Sequence, residues 1–341
     1  MRQRPVEQRI AMKVGGGGRA MRDLISEVFV AGLARDGDTV GLAAMDDGAA
    51  IPVGDRWLIL TTDSHVIHPL FFPGGDIGRL AVCGTVNDLA MMGATEPLAL
   101  TLGVIIEEGF ARADLERIQA SIRAACAEAG TAVVTGDTKV MGRGEIDGIV
   151  LNTAGVALTD RVIPDRGLRP GDVIVVTGTL GDHGMAVMAA RGKLDFEVAL
   201  ASDVAPLNGL VRAALAAGGV TAMKDPTRGG LASALAEMAE KSGCGVVLEE
   251  AALPIRDEVR AVGELLGIDP LHVANEGKAI LGVDPAHADA VVAALRGHPL
   301  GRSAALVGRA SDGPRGRVVL DTGFGRRLLT EPEGEPLPRI C

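Results

Sequence analysis

The chain has 341 residues with 47 glycines, 47% hydrophobic residues, six Phe, one Trp and no Tyr, and its 34 basic against 44 acidic residues give a formal net charge of −10. That balance excludes a nucleic-acid or anionic-membrane surface, and so few aromatic rings exclude stacking on bases. Asp88 and Glu96 interrupt the most hydrophobic region before it reaches the roughly 18 apolar residues of a membrane span, and Met1 to Gln8 is too polar for a signal, so a soluble, cytoplasmic protein is expected.

Length predicts about two domains, both α/β. Residues 1–12 read as an extension. The run Val14-Gly-Gly-Gly-Gly-Arg-Ala-Met21 then leads into an apolar pattern, Asp23 to Val30, that predicts a helix. Gly15, Gly17 and Ala20 satisfy G-x-G-x-x-A, but no strand precedes them. A phosphate-covering loop fits Gly16, Gly17 and Gly18 as well as a dinucleotide turn does. Strands and helices then alternate: a strand over 57–62, a helix over 77–92, and a strand over 97–106 with Leu98, Leu100, Leu102 and Val104 on one face. A helix follows over 114–130, its stripe of Leu115, Ile118, Ile122, Ala125 and Ala129 closed by Gly130. Strands at 131–135 and 148–158 complete the first unit, 13–160.

The turn-rich stretch 159–171 marks the boundary. The second unit, 161–325, opens on the strand 172–177 and continues with helices near 182–191, 204–217, 229–242, 257–267 and 285–296. Four cysteines make no disulfide framework in so long a chain, and Cys83, Cys126 and Cys244 sit in apolar or Gly-rich company as buried residues. The end, 326–341, reads as a mobile tail. Pro332, Pro336 and Pro338 favour an extended arm that cannot be core, and Cys341 is its last residue. A frayed terminus and a thiol carried into a distant pocket are both compatible with that pattern.

Five aspartates recur in acidic motifs: Asp47 in Met45-Asp-Asp-Gly48, Asp63 in Thr61-Thr-Asp-Ser64, Asp88 in Val86-Asn-Asp-Leu89, Asp137 in Thr135-Gly-Asp-Thr-Lys139, and Asp225 in Lys224-Asp-Pro-Thr-Arg-Gly-Gly230. Each alone suits a turn or a helix cap. Together, hard oxygen ligands beside glycines suit Mg²⁺ bridging phosphates, with Asp46 and Asp47 equivalent candidates at the first position.

Thr62-Asp-Ser64, Phe71-Phe-Pro-Gly-Gly75, Gly136-Asp-Thr-Lys-Val140, Thr177 to Gly184, Asp225 to Gly230, Asn275-Glu-Gly-Lys278 and Pro338-Arg-Ile-Cys341 occur in an order that resembles the hydrogenase maturation family HypE, from about Val14 to the end. Val14 stands where that family usually has His. The resemblance implies an aminoimidazole ribonucleotide synthetase-like fold of two α/β domains, the first binding ATP and forming a homodimer. It implies nucleotide contacts at Gly16, Gly17, Gly18, Asp63, Asn87, Asp88, Gly136, Asp137, Thr227 and Arg228, and Mg²⁺ at Asp46, Asp47, Asp63, Asp88, Asp137 and Asp225. It also implies a HypF-type carbamoyltransferase as donor to Cys341, a HypC–HypD iron carrier as cyanide acceptor, and ATP-dependent dehydration of the carboxamide to a thiocyanate. Such a step needs a base for nitrogen and a cation for developing charge; Glu276 and Lys139 are the candidates, and His183 receives no step. The competing readings are a small-molecule kinase or selenophosphate synthetase, which leaves Cys341 unexplained, and a non-catalytic ATP-gated scaffold.

Overall fold

A computed structural model describes residues 9–34, 40–192, 199–331 and 340. The chain first forms one helical run, α1 (Gly18–Leu24), a π-helical stretch (Ile25–Val30) and the short α2 (Ala31–Leu33). The strands β1 (Ala49–Val53) and β2 (Arg56–His65), the small hairpin β3 (Phe71–Phe72) and β4 (Gly75–Asp76), and β5 (Pro97–Glu107), β6 (Val133–Met141) and β7 (Ile149–Thr159) follow. They build a five-stranded sheet in the order β1-β2-β7-β5-β6, antiparallel except between β5 and β6.

One face of this sheet carries α3 (Ile77–Met91), which packs on β2 and β7, and α4 (Arg112–Ala129), which packs on α3. Strand periodicity decides which side chains face them: along β7 every odd residue from Ile149 to Thr159 is buried and every even one is half exposed. The even face has no helix on it among the described residues. α3 is buried almost all round, so it needs a firm start: Asp76 caps it, accepting from the N–H groups of Gly78 at 2.8 Å and Arg79 at 3.0 Å. α4 ends as expected, with Gly130 in the left-handed region at φ 72°.

The second unit is a seven-stranded sheet in the order β14-β13-β10-β12-β8-β11-β9. Its strands are β8 (Val173–Val176), β9 (Val220–Lys224), β10 (Gly245–Glu249), β11 (Ile280–Val283), β12 (Ala305–Ser311), β13 (Val318–Asp321) and β14 (Arg326–Leu329). The helices are α5 (Asp182–Gly192), α6 (Asn208–Ala217), α7 (Gly230–Ser242), α8 (Asp257–Leu266) and α9 (Ala288–Arg296). Among the described residues no helix is long and apolar enough to cross a membrane. Cys83, Cys126 and Cys244 are buried, unpaired thiols.

Several expectations change. Leu98 does not share a face with Leu100: a bulge between Pro97 and Ala99 turns it out, and it is 58% exposed. The strand expected at 131–135 runs on to Met141, so Gly136, Asp137 and Lys139 are strand residues. Val204 to Leu207 precede α6 instead of opening it. Arg326–Leu329 belongs to the second sheet as its edge strand, paired with β13, so the tail starts later than residue 326. Of that tail, 332–339 and Cys341 lie outside the described residues. Ile340 does not, and it is buried in the same apolar cluster as Phe72, Met185 and Val273, contrary to the expectation that the arm contributes nothing to the core.

Replacing Asp76 by Ala removes the cap of the most buried helix. Chemical denaturation should show a loss of about 1–2 kcal/mol with an unchanged m-value, because two donors lose their acceptor where water is scarce.

Candidate functional site

The largest concentration of acidic groups lines a cavity of about 580 Å³ between the two units. Gly17, Gly18, Asp46, Asp47, Asp63, Asp88, Asp225, Thr227, Arg228 and Glu276 all face it. Asp63 lies within β2 and Asp88 within α3, neither on a loop; the two elements meet because Gly84 of α3 lets the helix approach His65 and Asp63. Thr61 bridges the same junction, donating to an Asp88 oxygen at 2.8 Å and within reach of the Asp47 carbonyl at 2.9 Å.

The second unit supplies the opposite wall through three joined motifs. Asn275, fully buried, accepts from the Gly181 N–H at 2.7 Å and donates to the carbonyls of Val273 at 3.1 Å and Pro226 at 3.3 Å. One amide thus clips the segments of Thr177 to Gly184 and Asp225 to Gly230 to the loop that carries Glu276. Two glycines are required by this closeness. A Cβ on Gly230, itself at φ 61°, would stand 2.6 Å from the Val273 carbonyl oxygen, and one on Gly277 only 1.8 Å from that of Asp203. Asp203 in turn accepts from the Glu276 N–H at 3.0 Å and from the Lys278 ammonium at 2.9 Å.

Asn87 is a correction. It was expected to touch nucleotide, yet it is buried and its amide is committed elsewhere, donating to the carbonyls of Ala205 and Glu276, each at 3.2 Å, and accepting from the Leu207 N–H at 2.7 Å. It holds the Glu276 backbone. Gly136, Asp137 and Lys139 also do not join the cavity. In the sheet register Asp137 pairs with Gly103 and then Asn152, whereas Asp63 pairs with Thr153. Asp137 and Lys139 therefore project from the uncovered face, opposite to Asp63, and they pair with each other at 2.9 Å while largely exposed. Cys341 lies outside the described residues.

The electrostatics are those of crowded, poorly solvated acids. Burial first, then the neighbouring Asp165 and Asp47, pushes Asp46 up to about 7, and burial with Asp47 pushes Asp225 up to about 8. Asp88 is raised well above the usual carboxylate range by burial and by Asp225, Asp63 and Asp47. Glu276 is raised likewise by burial and by Asp225, Asp203 and Asp63, and one of its oxygens is buried without a hydrogen-bond partner. The residue that reasoning from sequence missed is Lys224. It sits at 2.7 Å from Asp47 and 3.6 Å from both Asp165 and Glu237, and although burial opposes its charge these carboxylates raise its pKa well above normal. Its place just before Asp225 was the available signal. Asp46 accepts the N–H groups of Asp47 at 3.0 Å and Asp165 at 3.2 Å, while Asp47 keeps one buried oxygen unpartnered. Asp47, paired with Lys224 through its other oxygen, is thus the one of the two with an oxygen free of hydrogen bonds.

Beyond this wall, His183 is fully buried, its Nδ1 at 2.7 Å from the Ser202 hydroxyl and its Nε2 at 2.8 Å from the carbonyl oxygen of Ile340. Its ring meets Phe72 edge-on, with centroids 5.5 Å apart.

Two family models match the chain, the AIR synthase related protein N-terminal domain over residues 45–159 and its C-terminal domain over 169–321. The carbamoyl dehydratase HypE of Cupriavidus necator is 48% identical over 98% of this chain and 95% of its own. Among solved structures, one of a HypE–HypF complex superposes with a TM-score of 0.84 at 41% identity, covering 92% of this chain and 100% of that one. A HypE in complex with ATP gives a TM-score of 0.81 at 41% identity, covering 98% and 100%.

Lys224→Met leaves Asp47 buried without its cation. Carboxyls whose folded pKa is raised lose stability as pH climbs from their unfolded value through the folded one. The variant's deficit, measured by urea denaturation, should therefore be on the order of 3 kcal/mol at pH 8 and shrink as pH falls and Asp47 takes up a proton.

Proposed function

The chain belongs to the HypE family of carbamoyl dehydratases, and on that premise we propose that it uses ATP to dehydrate a carboxamide on its own Cys341 sulfur to a thiocyanate. The observation that carries this reading is the convergence of buried acids and Glu276 at one cavity, together with the burial of Ile340, the residue next to the acceptor cysteine, against the adjoining wall. A HypF-type carbamoyltransferase is the proposed donor of the carboxamide, supported by the relative whose structure is a complex with HypF. The proposed acceptor of the cyanide is a HypC–HypD complex that carries the iron of a [NiFe] hydrogenase.

The chemistry fits what the residues offer. Attack of the carboxamide oxygen on the γ-phosphorus of ATP releases ADP, and loss of one nitrogen proton leaves an imidate phosphate. Breaking its C–O bond expels phosphate as the second nitrogen proton is removed, which gives S–C≡N. Glu276 is positioned to take that proton: Asp203 and Asn87 fix its backbone and its carboxylate faces the cavity. Burial and the charges of Asp225, Asp203 and Asp63 raise its pKa, and positive charge bound nearby lowers it again, so base catalysis at Glu276 depends on the charge state of the loaded site.

The donor set fits Mg²⁺. Asp47, Asp63, Asp88 and Asp225 offer oxygen ligands, one Asp47 oxygen is buried and unpartnered, and burial among neighbouring carboxylates raises the pKa of Asp88 and Asp225 in a way that a bound cation would offset. Among the described residues no three His, Cys, Asp or Glu side chains are grouped so as to hold a metal ion by themselves; Mg²⁺ in phosphate sites commonly takes several ligands from phosphate and water. When bound, Mg²⁺ offsets phosphate charge. Gly17, Gly18, Thr227 and Arg228 line the same cavity and are the proposed nucleotide contacts.

Lys139 serves the partner subunit of a homodimer. The uncovered sheet face exposes Leu60 and Leu98, and edge strand β6 exposes Val134 and Val140, so pairing these faces in a homodimer buries apolar surface and the open edge. Lys139 and Asp137 stand on that face and reach across it.

Glu276→Gln should leave carbamoyl loading and ATP affinity intact and slow dehydration by about 10² to 10⁴, so that mass spectrometry of the terminal peptide finds carboxamide where the parent chain shows loss of one water. Normal dehydration would remove Glu276 from the mechanism. Co-expressed Lys139→Ala and Glu276→Gln chains should regain about a quarter of parental activity, because mixed dimers hold one intact site if Lys139 acts across the interface. No recovery would place Lys139 in its own chain's site.

A further inference from the structure

The contact between His183 and the penultimate residue is used by none of the steps above. The Ile340 carbonyl oxygen can only accept, so the imidazole carries its proton on Nε2 and donates it across 2.8 Å. Ser202 fixes that arrangement from the other side. Its hydroxyl oxygen accepts the Val204 N–H at 3.1 Å, which leaves its own proton for Nδ1 at 2.7 Å. Burial lowers the pKa of His183, which keeps the ring neutral and this tautomer in place. Phe72 meets the ring edge-on, and the Ser202 N–H donates to the Pro73 carbonyl at 2.8 Å, so the hairpin of β3 and β4 braces both residues.

The next residue after Ser202 is Asp203, which holds the Glu276 N–H. Two neighbouring residues of one segment therefore hold the proposed base on one side and, through His183, the Ile340 carbonyl on the other. The carbonyl that His183 grips belongs to the peptide bond whose nitrogen is that of Cys341. Fixing that peptide, with the Ile340 side chain sunk in the apolar cluster, fixes where the acceptor thiol begins.

We propose that His183 is a positioning residue: its Nε2–H and the apolar slot for Ile340 latch the carbonyl of the peptide bond that leads into the acceptor cysteine, beside the segment that holds Glu276. This rests on the dehydratase reading, but the latch itself is a binding event with its own readout. A second consequence is selectivity for the chain's own end, since the slot reads an apolar penultimate side chain and a backbone carbonyl, not the thiol.

The test uses the full-length protein. Trypsin cutting after Arg339 releases the dipeptide Ile340-Cys341, and the loss is read by intact mass. In the parent chain that cut should be slow. His183→Phe keeps the ring volume without the donor and should speed it about 10-fold or more, whereas His183→Gln, which retains an N–H at a similar reach, should restore protection to within a few-fold. Ile340→Gly changes only the tail and should clip as fast as His183→Phe, which covers the case in which a substitution at the buried histidine fails to fold. With HypF-loaded protein, His183→Phe should dehydrate its carboxamide about 10²-fold more slowly at unchanged ATP affinity, with rescue by Gln. Equal clipping of the parent, His183→Phe and Ile340→Gly would overturn the latch, as would unimpaired dehydration in both variants. Failure of the loaded parent chain to dehydrate would overturn the dehydratase reading instead, and the clipping series would still decide the latch.

Discussion

Everything at the junction of the two units depends on a single buried cation, Lys224. It holds Asp47 of the first unit, Asp165 of the connecting segment and Glu237 of the second. A charge this deep survives only because opposite charges surround it, and they survive only because it is there. Lys241 repeats the device one shell away, bonding Asp165 at 2.6 Å, and Arg22 of α1 joins Glu237 at 2.9 Å and Glu331, at the root of the tail, at 2.7 Å. The units are thus joined by a polar seam that lies beside apolar clusters shared by both. The same seam leaves Asp46, Asp88, Asp225 and Glu276 with more negative charge than the protein offsets. Such an imbalance costs stability in the free protein and favours whatever positive charge binds there.

Sheet parity is the second constraint, and it divides the proposed site residues. A β-strand can show a side chain to only one face, and in the register of β2, β7, β5 and β6 Asp63 and Lys139 fall on opposite faces. No side-chain rotation crosses a sheet. Either Lys139 has no part in the reaction or it acts on another chain, and the exposed apolar face around it supplies a reason for a second chain to be present. The geometry of one chain therefore bears on quaternary structure through the pleat alone.

Much of this was legible in the sequence. The helix over Arg112–Ala129 and its Gly130 stop followed from 3.6-residue spacing, β2, β5, β7 and β8 from apolar runs, and the buried cysteines from their company. The acidic motifs predicted most of the cavity wall. What sequence could not give was orientation. Asn87 sits beside Asp88 in one motif, yet on a helix neighbours point about 100° apart, so one faces the cavity and the other the Glu276 loop. Leu98 fits an alternating pattern that a bulge breaks. Asp203 and Ser202 carry no motif, because what they bond is more than 70 residues distant for Glu276 and 19 for His183. Ile340 looked like part of a loose arm, since three prolines describe the path to it and say nothing of its destination.

The tail gives the fold its particular logic. On the proposed reading the chain carries its own carboxamide, which then needs no affinity for capture, only orientation. The arm's root is tied by Glu331 to Arg22, and its end by Ile340 to His183. Both anchors lie within the second unit's wall of the junction or the helix packed upon it. The Ile340 peptide and Glu276 are then related through the packed segment Ser202–Asp203, whose two side chains point to the two partners. Precision at the proposed reacting end thus comes from the folded wall.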